Sequence, residues 1–461
     1  MTGEVLRVFR IDVPLLDRMA AGGGGGEALR LLGDAEYARR LLLLRALLDR
    51  AREHGGGVAA EVAGLFEVLA RARRADPGVT RRVLTHPSVG SRLVATWQEL
   101  AKPGPALPLA EVAAAVAVAA GVPAEVTLAG RGPGAVLPGV GAAVLADAAP
   151  GTRVRLRAGA LESEGGTSVR VPGGGPCEAL PQAGAGGRWW PLRVVWPESA
   201  RGGGRAADVP GVVLDDVDPV AAPGVPRMRL GTGEVRAWRD GAAGAMRLLR
   251  ARHPGYAGEV AVGLRALVPL PADDATHRSS SAAERFGAVV MTRPASHQWF
   301  AETLVHETQH SKLVAVLHLI DLVEPGASRG PLLYAPWRDD PRPPAALLHG
   351  TYAFLSVARF WAVEAASASD PGRRYDAQVR CARWREAAAE AAGTLLAHGD
   401  VLTGTGRRFV TVMDAELAEL RRVPLSVAAV REARREAEEH RRLWRSRHAE
   451  HTDEQAHSRT M

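Results

Sequence analysis

Hydrophobic residues recur at helical spacing towards both ends of the chain. Between residues 27 and 75, leucine and valine return every three or four positions, and residues 109–120 repeat the pattern. This period matches the 3.6-residue turn of an α-helix with one apolar face. The same spacing returns after residue 283 and predicts four more helices, over residues 304–323, 347–366, 378–398 and 414–448.

The stretch between these helical parts has a different pattern. From about residue 126 to 275, short β-prone runs alternate with glycine, proline and aspartate, which favours strands and turns. Neither the strand–helix alternation of a doubly wound sheet nor the pattern of a double-stranded β-helix is present. We therefore predict an α+β fold, with a helical region at 1–125, a β-rich region at 126–275, a helical region at 276–448 and a flexible tail at 449–461.

Composition restricts the class of protein. Of the 461 residues, 46% are apolar and 24% charged, which is the balance of a folded protein rather than a disordered one. No run approaches eighteen consecutive apolar residues, and the first residues lack a secretory signal pattern, so no membrane role is expected. Cys177 and Cys381 stand alone, which excludes a thiolate metal site and a disulfide framework. These features indicate a cytoplasmic protein.

The net charge of +7 comes almost entirely from arginine. Among 58 basic residues only Lys102 and Lys312 are lysine, and the accompanying excess of alanine, glycine and proline is typical of codon bias. The arginines are scattered among 51 acidic residues instead of forming a basic patch. We therefore expect no nucleic-acid partner.

The strongest chemical signal is an H-E-x-x-H motif at His306, Glu307 and His310. Residues four apart lie one turn apart on the same face of an α-helix, so both imidazoles can point at one metal ion. Leu313 and Leu317 continue this stripe, which predicts that the histidines face inward and are shielded from bulk water. The spacing thus indicates a metal site on this predicted helix.

A third protein ligand is needed beside two imidazoles. The metzincin extension would place glycine and histidine where this chain has Leu313 and Val316, which excludes that subclass. A gluzincin-like site would use Glu364 on a later helix, whereas His349 stands at the start of the same helix. Because fifteen residues of helix span roughly 22 Å, only one of the two can reach the ion. We favour His349, which follows a proline-rich loop and precedes Gly350.

Three cationic side chains near the motif are candidates for holding an anion. Arg338 and Arg342 flank two aspartates in a loop stiffened by prolines, and a guanidinium beside a metal can grip a carboxylate through two hydrogen bonds. The alternative interpretation of this loop is a salt-bridged turn without a binding role. Lys312 offers a compact ammonium two residues after the motif, although helical geometry turns it some 120° away from the histidines.

Taken together, the motifs of residues 276–365 resemble a known enzyme family. The stretches HRSSSAAERFGAVV, LVHETQHSKL, YAPWRDDPRP and LLHGTYAFLSVARFW are similar to the HExxH-type peptide β-hydroxylases of ribosomally synthesised and modified peptide (RiPP) biosynthesis. The similarity is dense over about a fifth of the chain and thin elsewhere. H-E-x-x-H alone does not identify this family, but HETQHSKL together with PWRDDPRP is far more specific.

The resemblance implies iron(II), 2-oxoglutarate and O2 as cofactors, and hydroxylation at a side-chain β-carbon of a precursor peptide. It assigns metal binding to His306 and His310 and, as we interpret it, to His349 as the third ligand. Glu307 would not bind the metal but would orient a ligand or a bound water beside it.

Two further expectations follow from the resemblance. Arg338 or Arg342 would hold the distal carboxylate of 2-oxoglutarate, with Lys312 as another candidate. Some relatives are fused to a radical SAM enzyme that forms cyclophane crosslinks. No C-x-x-x-C-x-x-C motif occurs here, so such a partner would be a separate protein.

Two other functions remain open from the residues alone. A zinc metallopeptidase would use Glu307 as general base and His306, His310 and Glu364 as ligands. A peptide-binding protein with a structural metal would lose thermal stability without the metal but would have no turnover to lose.

Overall fold

The computed structural model of the chain combines helices with small sheets, in agreement with an α+β class. It describes residues 8–100, 107–130, 134–149, 151–172, 186–196, 211–218, 220, 229–271, 278–280, 282–326 and 330–448. The predicted tail at 449–461 and Cys177 lie outside these residues.

Two compact units make up the described chain. The mixed unit contains the described parts of Arg30–Met246 and Ala261–Phe300, and the helical unit contains those of Val8–Leu29, Arg247–Val260 and Ala301–Met461. Each unit is therefore assembled from segments that are distant in sequence.

Helices are distributed along the whole described chain. Their bounds are α1 Val13–Ala20, α2 Gly25–His54, α3 Gly56–Ala75, α4 Pro77–Leu84, α5 Pro87–Glu99, α6 Pro108–Ala119, α7 Thr232–Arg252, α8 Pro254–Gly263, α9 His297–Leu317, α10 Pro344–Ser367, α11 Pro371–Ala397, α12 Gly404–Arg422 and α13 Val427–Arg447. No helix among the described residues is both long enough and apolar enough to cross a membrane.

The strands of the mixed unit form three small sheets. Their bounds are β1 Val126–Ala129, β2 Gly134–Leu137, β3 Gly141–Leu145, β4 Arg153–Arg157, β5 Ala160–Ser163, β6 Ser168–Arg170, β7 Gly187–Pro191, β8 Arg193–Trp196, β9 Val212–Leu214, β10 Ala266–Pro269, β11 Ser279–Ser280 and β12 Ala288–Met291. The sheet orders are β1-β4-β5-β6, β2-β3-β7 and β11-β12-β10-β9-β8. Only the last sheet contains parallel pairs among the described strands, β9 with β10 and β10 with β12.

The structure differs from the predicted helices at two breaks. The single helical stretch expected over 27–75 is divided by Gly55, whose positive φ of 68° is tolerated by glycine because it has no Cβ. The stretch expected over 414–448 is divided between α12 and α13, where Pro424 lies in the connection and Ser426 caps α13 through Ala429 N–H. The region predicted to be β-rich also contains helices α7 and α8.

The core of the mixed unit joins α2–α6 to the sheets. Its largest cluster includes the almost wholly apolar α6 and Trp189, which is 2% exposed. A buried ion cluster lies beside this apolar core, where Arg92 donates to the carboxylates of Glu111 and Asp218. Buried charges are stable only when they are paired in this way.

Helix α10 is the central element of the helical unit. Most of its residues are buried, and it packs along α11, which in turn packs against α12 and α13. A helix that is apolar nearly all round must be covered on several sides. This packing fixes the positions of the side chains that α10 and α11 present to the motif-bearing part of α9.

Candidate metal centre

His306 and His310 lie one turn apart on α9, and their Nε2 atoms are 3.1 Å apart. The ring centroids are 4.7 Å apart and the ring planes are nearly perpendicular, at 81°. Two nitrogen ligands at about 2.1 Å from one metal ion and at right angles to each other would be separated by about 3.0 Å. The observed pair therefore has the nitrogen separation of two adjacent ligands of a single ion.

The imidazoles near this position are held in the neutral form. Burial, followed by the neighbouring His306, lowers the pKa of His310 to about 3. Burial also lowers the pKa of His349 to about 4. Only neutral imidazole has a free nitrogen lone pair for a metal, so this environment suits metal binding near neutral pH.

His349 lies on the first turns of α10, on the side of His310. The centroids of these two rings are 6.1 Å apart, which is longer than the 4.7 Å between the rings of His306 and His310. No three His, Cys, Asp or Glu side chains of the described residues are gathered tightly enough to hold an ion as they stand. The structure thus brings His349 beside the pair, with its ring at a longer distance.

Glu364, the rival third ligand, has other partners in the structure. Its Oε2 accepts a hydrogen bond from Arg252 at 2.7 Å, and its Oε1 lies 2.9 Å from Nε2 of His253. The carboxylate is 1% exposed, and the His253 ring stacks on Phe360 of α10 at 4.4 Å. Both oxygens of Glu364 are therefore engaged at the far end of α10 from His349.

Glu307 is buried next to the two histidines of the motif. It is 1% exposed, and its Oε2 atom finds no hydrogen-bond partner in the part of the chain that the structure describes. A buried oxygen without a partner is costly and calls for a ligand, water or ion. Glu307 can therefore accept a hydrogen bond from a molecule bound at this position.

His306 and His310 are less buried than most of their neighbours on α9. Gln309 and Lys312 are 0% exposed, as is Leu313 on the histidine stripe, whereas both histidines keep part of their surface accessible. Part of each histidine therefore reaches the protein surface.

Lys312 is held inside the helical unit instead of pointing at the histidines. Its Nζ donates to Oε1 of Glu259 at 2.8 Å and to the carbonyl oxygen of Gly23 at 2.7 Å. The other oxygen of Glu259 accepts from Nε2 of Gln309 at 2.7 Å. These bonds make Lys312 the centre of a buried network behind the motif, on the side of α9 that faces away from the histidines. A lysine that binds an anion at the metal site would instead have to lie beside the histidines.

Arg338 and Arg342 share a single carboxylate. Arg338 donates to Oδ1 of Asp340 at 2.8 Å, and Arg342 donates to Oδ2 of the same residue at 2.9 Å. Both guanidinium groups are substantially exposed, and the three residues form the salt-bridged turn that was one of the two interpretations of this loop.

An aromatic row, consisting of Trp337, Phe354 and Trp384, borders the histidines and was not predicted from the sequence. The ring centroid of Phe354 lies 5.1 Å from that of His306. Phe354 also stacks on Trp337 at 4.8 Å and packs at a tilt of 34° against Trp384 at 4.5 Å. Such a row forms a rigid apolar wall beside a metal site. The one sign of this row in the sequence is the glycine at position 350. A Cβ there would meet the Trp337 indole at 2.3 Å, so the close approach of the indole to α10 requires glycine.

We expect Gly350→Ala to destabilise the protein by about 1–3 kcal/mol, because the indole of Trp337 is a rigid ring that cannot yield without moving its loop. The midpoint of urea unfolding measures this change. Gly393→Ala is the matched control, since a Cβ at that position of α11 meets nothing within 4 Å. That control should gain about 0.5–1 kcal/mol of helix stability. Equal effects of the two substitutions would contradict the close contact at Gly350.

Glu302 and Arg380 also belong to this neighbourhood and were not predicted. Glu302 precedes His306 by one turn on α9, and burial raises its pKa to about 7, against the opposing effect of Arg380. The guanidinium of Arg380 on α11 lies 5.1 Å from the ring centre of Trp361 on α10. No sequence pattern links these residues, because they meet only through helix packing.

Comparison of the sequence with protein-family models and with curated proteins finds no match.

Proposed function

We propose that this protein is an iron(II)- and 2-oxoglutarate-dependent dioxygenase that hydroxylates a β-carbon in a ribosomally made precursor peptide, in the cytoplasm. The observation that carries the proposal is the His306–His310 pair, whose nitrogen separation of 3.1 Å suits two adjacent ligands of one ion. The resemblance in HETQHSKL and PWRDDPRP selects iron and a 2-oxo acid over zinc. We propose His349 as the third ligand.

In this proposal each residue of the chain has a distinct task. His306, His310 and His349 would hold the metal by neutral imidazole nitrogens, and the engagement of Glu364 with Arg252 and His253 supports this set over the one with Glu364. Three protein ligands on one face of an octahedral ion leave positions for small molecules. When bound, iron(II) with 2-oxoglutarate supplies the dioxygen-driven oxidation of an unactivated C–H bond, with release of succinate and carbon dioxide.

The surroundings of the pair would control orientation and water. Glu307 would accept a hydrogen bond through its unpartnered Oε2 and so orient a molecule beside the ligands. The aromatic row would exclude water from one side of the site and restrict how a peptide side chain approaches. A radical SAM enzyme acting on the same peptide would be a separate partner.

One observation favours a second candidate, a zinc metallopeptidase. In that enzyme Glu307 would be the general base, and its buried, unpartnered Oε2 is placed beside the histidines as this role requires. The partners of Glu364 disfavour it as a third zinc ligand, which is why we place this candidate second.

An anaerobic titration separates the two candidates. Metal-free protein is given iron(II) and then 2-oxoglutarate, and we expect a weak visible charge-transfer band when both occupy one site. Glu307→Gln should retain this band, because the proposed role of Glu307 is orientation and not ligation. Stoichiometric zinc binding without the band, together with peptide cleavage that Glu307→Gln abolishes, would overturn the hydroxylase in favour of the peptidase.

A further inference from the structure

A groove of about 870 Å³ borders the edge of a sheet in the mixed unit. Strand β1 is the outermost strand of the sheet β1-β4-β5-β6, and among the described residues it pairs with β4 alone. In an antiparallel pair, every second residue directs its N–H and C=O away from the neighbouring strand. No other backbone hydrogen bond links β1 to a described residue. These outward groups are therefore available to pair with a further strand.

Helix α3 lines the groove together with β1. Leu65 and Val68 of α3 and Val126 of β1 contribute buried apolar side chains to the lining, whereas Gly64 of α3 is exposed. A Cβ added to Gly64 would meet nothing within 4 Å, so the helix leaves open space at this point. An extended chain suits such a groove, because its backbone can pair with β1 while every second side chain packs on the apolar lining.

Strand β4, the neighbour of β1, adds a row of positive charge. Every second residue of β4 is an exposed arginine, namely Arg153, Arg155 and Arg157, and side chains two apart on a strand lie on one face. Arg157 pairs with Glu125 at 3.3 Å, and Glu162 of β5 lies opposite Arg155 in the register. Neither Arg153, which lines the groove, nor Arg155 forms an ion pair or hydrogen bond with another described residue. Both can therefore bind an incoming acidic side chain.

The composition of the sheet favours a peptide over a nucleic acid as the binding partner. Sheets that bind single-stranded nucleic acid stack its bases on aromatic side chains. The strands β1, β4, β5 and β6 contain no aromatic residue. An acidic chain that pairs through its backbone matches both the edge of β1 and the arginines of β4.

We propose that this groove binds an extended acidic peptide segment, which adds to the sheet as a fifth strand beside β1. Backbone hydrogen bonds to β1 would supply affinity, and Arg153 and Arg155 would select carboxylate side chains. The same charges would keep an edge of four residues from pairing with chains that lack acidic side chains. The inference goes beyond the proposed function, because it concerns the mixed unit alone and holds whichever metal chemistry the protein performs.

Fluorescence anisotropy with short labelled peptides tests the proposal on the full chain. One peptide alternates glutamate with valine, and its control alternates lysine with valine. The acidic peptide should bind at least about tenfold more tightly, because its glutamates meet the arginines while its valines face the apolar lining. Arg153→Glu should reduce this preference, since the acidic peptide then meets a like charge.

Methylation of the peptide backbone tests the added strand. Two versions of the acidic peptide carry methyl groups on alternate sets of backbone nitrogens, so that only one version loses the N–H groups that point at β1. That version should bind at least about tenfold more weakly, and the other should bind like the parent peptide.

Two glycine variants of α3 test the groove. Gly64→Phe places a ring in the open space and should weaken binding of the acidic peptide by at least about tenfold. Gly57→Phe is the matched control, because Gly57 lies on the same helix outside the groove lining and a Cβ there also meets nothing within 4 Å. This control should bind the peptide like the wild type.

Several results would overturn the proposal. Equal binding of the acidic and basic peptides, or no binding of either, would exclude an acidic strand at this edge. Equal binding of the two methylated versions would exclude backbone pairing, and an unchanged affinity in Gly64→Phe would place the peptide elsewhere. Single-stranded RNA that binds more tightly than the acidic peptide, and that Gly64→Phe weakens, would assign the groove to nucleic acid instead.

Discussion

His306→Ala is expected to lower the affinity for iron(II) by more than about 100-fold and to abolish the charge-transfer band with 2-oxoglutarate. The variant loses one of the two nitrogens that are 3.1 Å apart, and the rings of His310 and His349 that remain are farther from each other, with centroids 6.1 Å apart. His310→Ala should have the same effect. Competition with a chromophoric chelator under anaerobic conditions measures the affinity directly. His318→Ala, just beyond the end of α9, is the control and should bind iron like the wild type.

The third ligand is decided by the same measurement on two further variants. We expect His349→Ala to weaken iron binding, because its neutral ring lies next to His310. Glu364→Ala should retain the iron but lower the stability, since Arg252 and His253 lose their shared acceptor. Loss of the metal in Glu364→Ala, with retention in His349→Ala, would contradict our ligand set and favour the peptidase.

The proximity of His306 and His310 could be predicted from the sequence because its geometry is local. Four residues of α-helix fix the relative position of His306 and His310 whatever the rest of the chain does. Helices α6 and α10 were predicted for a similar reason, since their apolar runs span several turns. The division at Gly55 was missed because hydrophobic periodicity continues across it.

The surroundings of the pair could not be predicted in this way. Lys312 meets Glu259 across 53 residues of sequence, and Phe354 meets Trp384 only because α10 and α11 pack together. Neither contact has a fixed spacing in the sequence, so the motif indicated a candidate metal site without indicating which residues lie around it. Long-range packing therefore decides that Arg338 and Arg342 stay exposed while Lys312 is buried.

The buried pair of Lys312 and Glu259 gives the largest effect that we expect on stability. The two side chains are 0% and 1% exposed, and the Nζ–Oε1 distance is 2.8 Å. Lys312→Met removes the cation and leaves the Glu259 carboxylate without a counter-charge in the interior. Breaking a buried pair in this way costs about 3–5 kcal/mol. Chemical unfolding at neutral pH should therefore show a large fall in the transition midpoint.

A double-mutant cycle distinguishes the unpaired charge from simple loss of packing. Lys312→Met with Glu259→Gln should be more stable than Lys312→Met alone, because the glutamine amide is neutral and can still accept a hydrogen bond from Gly25 N–H. Glu439→Gln breaks an exposed pair with Arg442 and should leave the midpoint unchanged. If the destabilisation of the double variant equalled the sum of those caused by Lys312→Met and Glu259→Gln, the broken ion pair would not be the cause of the lost stability. Because Gln309 also bonds to Glu259 and precedes His310, a loss of this network should loosen the helix that carries His306 and His310.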